Sequence, residues 1–211
     1  MSGSLTAMSV DEFLARLGSG EPTPGGGAAA ALVGAAAAAL VCMVCNLTVG
    51  RPKFAAVEDQ VRALLAAGES VRVRLTRAVD EDALAYDAVI QATRLPKDDA
   101  SLAESRTAAV QAALKGATRP PLATAADAAL VLELCSTAVE LVNPRVISDI
   151  SVAASLAAAA LESAADNVEV NLSAIHDSVF VADMRQQLAS IVDQHRSMAG
   201  TVHQRARERA A

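Results

Sequence analysis

Apolar residues recur along most of the chain at intervals of three and four, which is the spacing of one face of an α-helix. Clusters of glycine, proline and asparagine interrupt this pattern and divide the chain into segments. No segment shows the strict apolar–polar alternation that is typical of a half-buried strand. The pattern therefore predicts a bundle of six to seven helices, over about 10–17, 28–47, 53–93, 100–118, 122–142, 148–175 and from 178 into the C-terminal tail.

Three of these helices have recognisable starts. Ser9 and Glu12 have the spacing of a capping box, in which each side chain bonds to the backbone amide of the other residue. Pro52 suits the first turn of the third helix, because its missing N–H has no partner there in any case. Ser148 is predicted to cap the sixth helix, with Asp149 in its first turn.

Composition supports an all-helical domain. Alanine supplies 49 of the 211 residues, whereas the chain has one Tyr, three Phe and no Trp. Strands draw on aromatic and β-branched residues, while Ala, Leu, Arg, Glu and Gln favour helices. The 53% of hydrophobic residues exceeds what a disordered chain carries. We expect an all-α, single-domain bundle over residues 1–211, with the Ala-rich second and sixth helices at its centre.

Charge and cysteine content narrow the possible functions. The net charge is −6 and no basic run is present, which argues against a nucleic-acid partner. Cys42, Cys45 and Cys135 are odd in number and lie in apolar runs, which favours free thiols over a disulfide framework. The CxxC spacing of the first two has no second pair to complete a metal site. No metal is therefore expected. The chain shows no apolar signal segment, so we expect it to be cytoplasmic.

Residues 25–50 contain no charged side chain, which raises the question of a membrane span. The run exceeds the ~20 residues that a spanning helix needs. Alanine and glycine dominate it, however, and contribute little to transfer into lipid. A helix surrounded by other helices of a bundle accounts for it better, so no membrane association is expected.

One carboxylate interrupts the apolar stripe of the third helix. Steps of three and four from Val57 lead through Ala78 to Asp82 and on to Tyr86. A desolvated Asp has a raised pKa, which suits a group that exchanges a proton near neutral pH. The alternative is an ion pair with an arginine of another helix. The neighbouring carboxylates lie off the stripe and are predicted to be solvated: Asp80, Glu81 and Asp87.

Polar residues also interrupt the sixth helix. Steps from Asp149 reach Asn167 and Asn171, which lie one turn apart and could present donors and acceptors to a ligand. Hydrogen bonds between helices are the alternative. Gly25, Gly26 and Gly27 precede the second helix, where backbone amides could meet a polar ligand or simply form a turn. They match neither the Rossmann nor the P-loop pattern.

The order of these features resembles the cyclodeaminase/cyclohydrolase family of folate enzymes, and the likeness covers nearly the whole chain. The segments that carry it are Pro24-Gly-Gly-Gly27, Asn46-Leu-Thr-Val-Gly50 with Lys53, Asp82-x-x-Ala85-Tyr86, Arg94-Leu-Pro-Lys97, Val146-Ile-Ser-Asp149 and Asn167-Val-x-x-Asn171-Leu172. Two positions depart from the family pattern. Arg51-Pro52 replaces two basic residues, and Tyr86 replaces Phe.

The resemblance implies a homodimer that binds tetrahydrofolate in a cleft between helices, with Asp82 as the catalytic acidic residue. It also implies a set of substrate-binding residues: Gly25, Gly26, Gly27, Thr48, Lys53, Tyr86, Lys97, Ser148, Asp149, Asn167 and Asn171. The folate derivative is the substrate, and no cofactor is expected.

Within this family the chain is most similar to stand-alone methenyltetrahydrofolate cyclohydrolases. The segment 44–50 looks like theirs, and the chain lacks a formiminotransferase half that would feed a deaminase. Formiminotetrahydrofolate cyclodeaminase activity, with release of ammonia, is the first alternative. A helical scaffold that binds folate without turnover is the second, and the intact Asp82 argues against it.

Overall fold

The computed structural model describes residues 4–210, and within that range it contains helices and no strands. Six helices have 18 or more residues, while the first and last are shorter. The helices are α1 (Val10–Leu17), α2 (Gly26–Asn46), α3 (Glu58–Thr93), α4 (Ala100–Ala117), α5 (Arg119–Leu141), α6 (Ile147–Ser173), α7 (Ser178–His195) and α8 (Met198–Ala210). Short 3-10 turns cover Leu5–Ala7, Pro52–Val57 and Pro144–Val146. The predicted all-α bundle is confirmed.

The Ala-rich helices α2 and α6 form the centre of the bundle. Helix α2 packs against α3, α5 and α6, and 12 of its 21 residues are buried. Small side chains make this packing close. A Cβ on Gly34 would lie 3.2 Å from a Leu75 methyl group of α3 and 3.4 Å from Ala160 of α6. The core therefore depends on the approach of backbones rather than on large side chains.

Three segments are long and apolar enough to cross a membrane by length and composition alone: Gly26–Asn46, Ala100–Leu141 and Pro144–Ser173. In the fold, 61% of the most apolar window of the first segment is buried against the other helices. The absence of a membrane association stays a prediction.

Several helix boundaries differ from those that the sequence predicts. Residues Pro52–Val57 form a 3-10 turn, so α3 begins at Glu58 rather than near Lys53. Helix α6 begins at Ile147, and Ser148 lies inside its first turn instead of capping it. The predicted last helix is divided into α7 and α8, and no glycine or proline marks that break. The capping box of Ser9 is confirmed.

The segment before α1 corrects one prediction about the acidic residues of α3. Asp80 accepts hydrogen bonds from the Ser4 hydroxyl at 2.7 Å, the Leu5 amide at 2.6 Å and the Thr6 hydroxyl at 2.9 Å. Asp80 is therefore bound to the N-terminal segment and does not belong to a solvated face. Glu81 and Asp87 are exposed, as predicted.

Candidate active site

The apolar stripe of α3 changes its surroundings along the helix. From Val61 to Ala78 its residues are buried in the core. One turn later, Asp82 and then Tyr86 and Val89 line a pocket instead. The carboxylate thus lies where the stripe leaves the core, which explains why a polar residue occupies an otherwise apolar position.

The pocket has a volume of about 290 Å³ and lies between four helices and the loop that precedes α2. The loop and α2 form one wall, α3 another, and the ends of α4 and α6 the rest. Its lining residues are Pro22, Thr23, Gly25, Gly26, Gly27, Asp82, Ala85, Tyr86, Val89, Ala117, Asn167, Val170 and Asn171. Seven of the residues predicted for the site are therefore brought together.

The Asp82 carboxylate is half-buried and meets the N-terminus of α2. It accepts a hydrogen bond from the Ala28 amide, one of the first-turn amides that have no acceptor within their own helix. Burial raises the pKa of Asp82, and the Ala28 hydrogen bond opposes that rise because it favours the charged form. Among residues 4–210 no ion pair includes Asp82, so the arginine partner of the structural alternative is not found there.

The glycines permit this close approach. A Cβ on Gly27 would lie 2.7 Å from one Asp82 carboxylate oxygen and closer still to the other, so only glycine fits. A Cβ on Gly26 would lie 3.6 Å from the Asn167 amide nitrogen, which is an ordinary van der Waals contact. Gly27 is thus required by the carboxylate, whereas Gly26 leaves space open in the pocket.

The two asparagines have their amide nitrogens occupied by backbone carbonyls. Nδ2 of Asn167 donates to the Ser163 carbonyl at 2.7 Å, and Nδ2 of Asn171 donates to the Ala117 carbonyl of α4 at 2.9 Å. The second bond is the interhelical contact that the sequence left open. Within the described residues neither Oδ1 accepts a hydrogen bond, so together with Asp82 the pocket presents acceptors. Such a wall suits a ligand that carries several N–H donors.

Four of the residues implied by the resemblance lie at the other end of the bundle. Helix α2 rises about 30 Å from Gly26 to Asn46, and Thr48 and Lys53 follow its far end. Ser148 and Asp149 lie at the start of α6, roughly 28 Å from Asn167.

Within this distant group, Thr48 is buried, donates to the Val44 carbonyl at 2.8 Å and accepts from the Asn143 amide at 3.1 Å. Lys53 is exposed, with Nζ 5.9 Å from the centre of the Phe54 ring. Lys97 is a separate case, because it lies exposed in the loop after α3 and does not line the pocket. Roles for all five residues in binding stay predictions.

Three backbone contributions escape sequence analysis. The Ala28 amide and the Ala117 carbonyl belong to alanines that resemble dozens of others in the chain. The Thr23 carbonyl accepts a hydrogen bond from Arg16, which fixes the loop before α2. The type of side chain carries no information about these backbone amides and carbonyls. The glycine cluster 25–27 does indicate that a loop precedes α2.

Comparison with known proteins identifies the family. The sequence model of the formiminotransferase-cyclodeaminase family matches residues 9–190, and the chain belongs to this family.

Individual relatives fall into two groups. A methenyltetrahydrofolate cyclohydrolase of Methylorubrum extorquens is 40% identical over 205 residues, which cover 97% of this chain and 95% of that protein. A formimidoyltransferase-cyclodeaminase of Sus scrofa is 33% identical over 99% of this chain but only 38% of its own length. The crystal structure of a formiminotetrahydrofolate cyclodeaminase from Thermotoga maritima superposes with a TM-score of 0.82, at 26% identity and 98% coverage of both chains.

Proposed function

We propose that this protein is a methenyltetrahydrofolate cyclohydrolase, which hydrolyses methenyltetrahydrofolate to formyltetrahydrofolate. The observation that carries the proposal is Asp82, a half-buried carboxylate with no ion pair among residues 4–210, placed in a pocket that the glycines of α2 leave open. The similarity over nearly the full length of the Methylorubrum extorquens cyclohydrolase supports the choice of reaction.

In the proposed mechanism Asp82 accepts and returns one proton. Water attacks the cationic methenyl carbon, and its proton passes to the Asp82 carboxylate as the C–O bond forms. The protonated Asp82 then donates to the ring nitrogen while the C–N bond breaks. The remaining hydroxyl proton leaves as the formyl carbonyl forms, so the reaction releases one proton in total. A carboxyl group with a raised pKa suits both transfers near neutral pH.

The first turn of α2 supports the oxygen that develops during this reaction. The N–H groups of Gly26 and Gly27 have no acceptor within the helix, so they can donate to an oxygen atom in the pocket. We propose that these amides donate to the oxygen of the hydrated intermediate. The acceptor atoms of Asn167 and Asn171 would bind N–H donors of the pterin ring.

A spectrophotometric assay tests the proposed activity. Methenyltetrahydrofolate absorbs in the near ultraviolet and its hydrolysis product does not. Enzyme-dependent decay of this absorbance, above the spontaneous rate, is the expected result. Binding of folate without accelerated decay would instead support the scaffold alternative.

Cyclodeamination is the second candidate reaction, favoured by the superposition on the Thermotoga maritima protein. In that reaction an amine of the folate attacks its formimino carbon, and ammonia leaves after accepting a proton. Protonated Asp82 could supply this proton. Ammonia release from formiminotetrahydrofolate, measured on the same preparation as the hydrolysis, compares the two rates directly, and we expect hydrolysis to be faster.

We further propose that the protein is a homodimer in which α2 packs against α2 of a second copy. One face of α2 lacks charge, is partly or fully exposed and repeats at intervals of three and four: Ala29, Val33, Ala36, Leu40 and Met43. An exposed apolar face of this length favours association. In an antiparallel, two-fold arrangement, the Lys53 end of one copy lies beside the Asp82 pocket of the other.

A mixed dimer tests this arrangement. Lys53→Ala and Asp82→Asn homodimers should both have low activity. A co-expressed mixture should recover up to a quarter of the parent activity, because half of the dimers are mixed and one of the two sites in each mixed dimer is intact. No recovery on mixing would contradict a site shared between copies.

We also propose that catalysis needs no cofactor, since the proton transfers use groups of the chain itself. Dialysis against a chelator should leave turnover unchanged.

The three cysteines are buried free thiols, which supports a cytoplasmic location.

A further inference from the structure

The N-terminal segment, residues 4–17, is fastened to α3 on the side of that helix opposite the pocket. Asp80 accepts the three hydrogen bonds from Ser4, Leu5 and Thr6. Partial burial raises the pKa of Asp80, but these hydrogen bonds together outweigh it and hold the pKa below its ordinary value. Asp80 and Asp82 are two residues apart, so they point away from each other across the helix. An acidic side chain outside the pocket thus has a specific partner.

The same segment packs onto the start of α2. Leu5 and Phe13 are 4% and 5% exposed and belong to a small apolar cluster, separate from the main core. The cluster joins the N-terminal segment to α2 and α3 and comprises Leu5, Phe13, Ala28, Ala31, Ala78 and Val79. Ala28 is the residue whose amide donates to Asp82, so the cluster supports the contact between α2 and the candidate catalytic carboxylate.

A second attachment fixes the loop that leads into α2. Arg16 of α1 donates through Nε to the Thr23 carbonyl at 3.0 Å and to Glu21 at 2.9 Å. Thr23 lines the pocket. The N-terminal segment therefore contacts both parts of the α2 wall, namely its loop and its first turn.

We propose that Asp80 is a positioning residue, which acts through the N-terminal segment to hold the first turn of α2 against Asp82. The proposal rests on the function proposed above for Asp82. Loss of the Asp80 contacts lets the N-terminal segment and the first turn of α2 move, and the Ala28 hydrogen bond to Asp82 weakens. Small displacements of a reacting group reduce turnover severalfold.

The pH profile separates positioning from simple electrostatics because the two effects have opposite signs. A weaker Ala28 hydrogen bond raises the pKa of Asp82, because that bond favours the charged form. Removal of the negative charge of Asp80 by itself would lower the pKa of Asp82. Among the described residues that line the pocket, Asp82 is the only carboxylate, and the lining residues from α2, α4 and α6 are uncharged. The acidic residues near Asp80 are Asp87, which lines the same surface pocket, and Glu81, the next residue in the chain.

The experiment compares three variants by the pH dependence of kcat/KM for methenyltetrahydrofolate. Asp80→Asn weakens the anchor, because a neutral amide replaces the carboxylate that accepts all three bonds, and Ser4→Ala with Thr6→Val removes two of the donors while the charge stays. Glu81→Gln is the matched control, because Glu81 is an exposed neighbour of Asp80 and the substitution also removes one negative charge. We expect the first two to move the acid limb to higher pH and to lower turnover about tenfold at neutral pH, whereas Glu81→Gln leaves turnover unchanged and moves the limb, if at all, to lower pH.

Combining the anchor variants provides a second readout. If Asp80 acts through Ser4 and Thr6, the triple variant should be no worse than Asp80→Asn alone. Fully additive losses, or an acid limb that stays in place or falls in a folded Asp80→Asn variant, would overturn the proposal. Failure of the proposed function is distinguishable, because the parent protein would then show no enzyme-dependent decay at all. Failure of the role of Asp82 alone would leave Asp82→Asn as active as the parent.

Discussion

Asp82 combines three properties at the scale of a single residue. It is half-buried, it accepts an amide hydrogen bond from the start of another helix, and a glycine backbone lies against its carboxylate. The first property favours the protonated form and the second favours the charged form. A carboxyl group balanced in this way can accept and return a proton in one catalytic cycle.

Replacement of this residue gives the most direct test of its role. Asp82→Asn keeps the size of the side chain but removes proton exchange, so turnover should fall by ~10²–10⁴. The Michaelis constant should change much less, because the amide still fills the site. Steady-state kinetics on folded protein checks this, with Glu81→Gln as the control. Activity within a few-fold of the parent would show that Asp82 is not the catalytic residue.

The raised pKa of Asp82 also predicts a pH dependence of stability. The folded state binds the Asp82 proton more tightly than the unfolded state, so ionisation of this group opposes folding as the pH rises past the unfolded value of about 3.9. At neutral pH the melting temperature of Asp82→Asn should therefore equal or exceed that of the parent. Below that unfolded value the carboxyl is protonated in both states, and the difference should disappear. Thermal melts across this range provide the measurement, and a variant that is less stable at neutral pH would indicate a structural role.

At the scale of elements, the junction between α2 and α3 determines the shape of the pocket. Adjacent glycines at the start of α2 have different surroundings there. Gly27 faces the Asp82 carboxylate, whereas Gly26 faces the pocket and lies within ordinary contact distance of Asn167. The two positions therefore separate the effects of substrate binding from those of helix packing.

Two alanine substitutions should show this difference. Gly26→Ala should raise the Michaelis constant while leaving the melting temperature unchanged, because its Cβ has room in the fold but takes space from the ligand. Gly27→Ala should displace Asp82, abolish most turnover and cost ~1–3 kcal/mol of stability through overpacking. Kinetics and thermal melts on both variants check the pair. Equal changes in the Michaelis constant and the melting temperature of the two variants would contradict the assignment of Gly26 to substrate binding and Gly27 to packing against Asp82.

At the scale of the whole molecule, one bundle leaves an uncharged face of α2 uncovered. Met43, which is exposed, lies on this face near the C-terminal end of α2. We expect light scattering to show a dimer at micromolar concentration. Met43→Glu should shift the protein toward the monomer, since it places a charge in the apolar contact.

A matched surface variant controls for general effects of an added charge. Val179 on α7 is 79% exposed, and Val179→Glu should leave the dimer intact. A parent protein that is monomeric under these conditions would contradict the homodimer. Equal dissociation of both variants would show that α2 is not the interface.

The sequence by itself determined the all-helical fold class and, within most helices, the residues that share a face. Helical periodicity is a local property, so the step from Ala78 to Asp82 and the pairing of Asn167 with Asn171 follow from spacing alone. The alanine content likewise determined which helices could lie at the centre, because small side chains allow close packing. These features need no knowledge of which helices become neighbours.

The tertiary structure decided the partners of those residues. It connected Asp80 to Ser4, brought the Ala28 amide to Asp82, and separated Lys53 and Ser148 from the pocket by the length of a helix. Each of these outcomes depends on how helices distant in sequence pack together, and backbone amides have no signature in side-chain pattern. Local spacing therefore identified the carboxylate, whereas packing between helices decided what surrounds it.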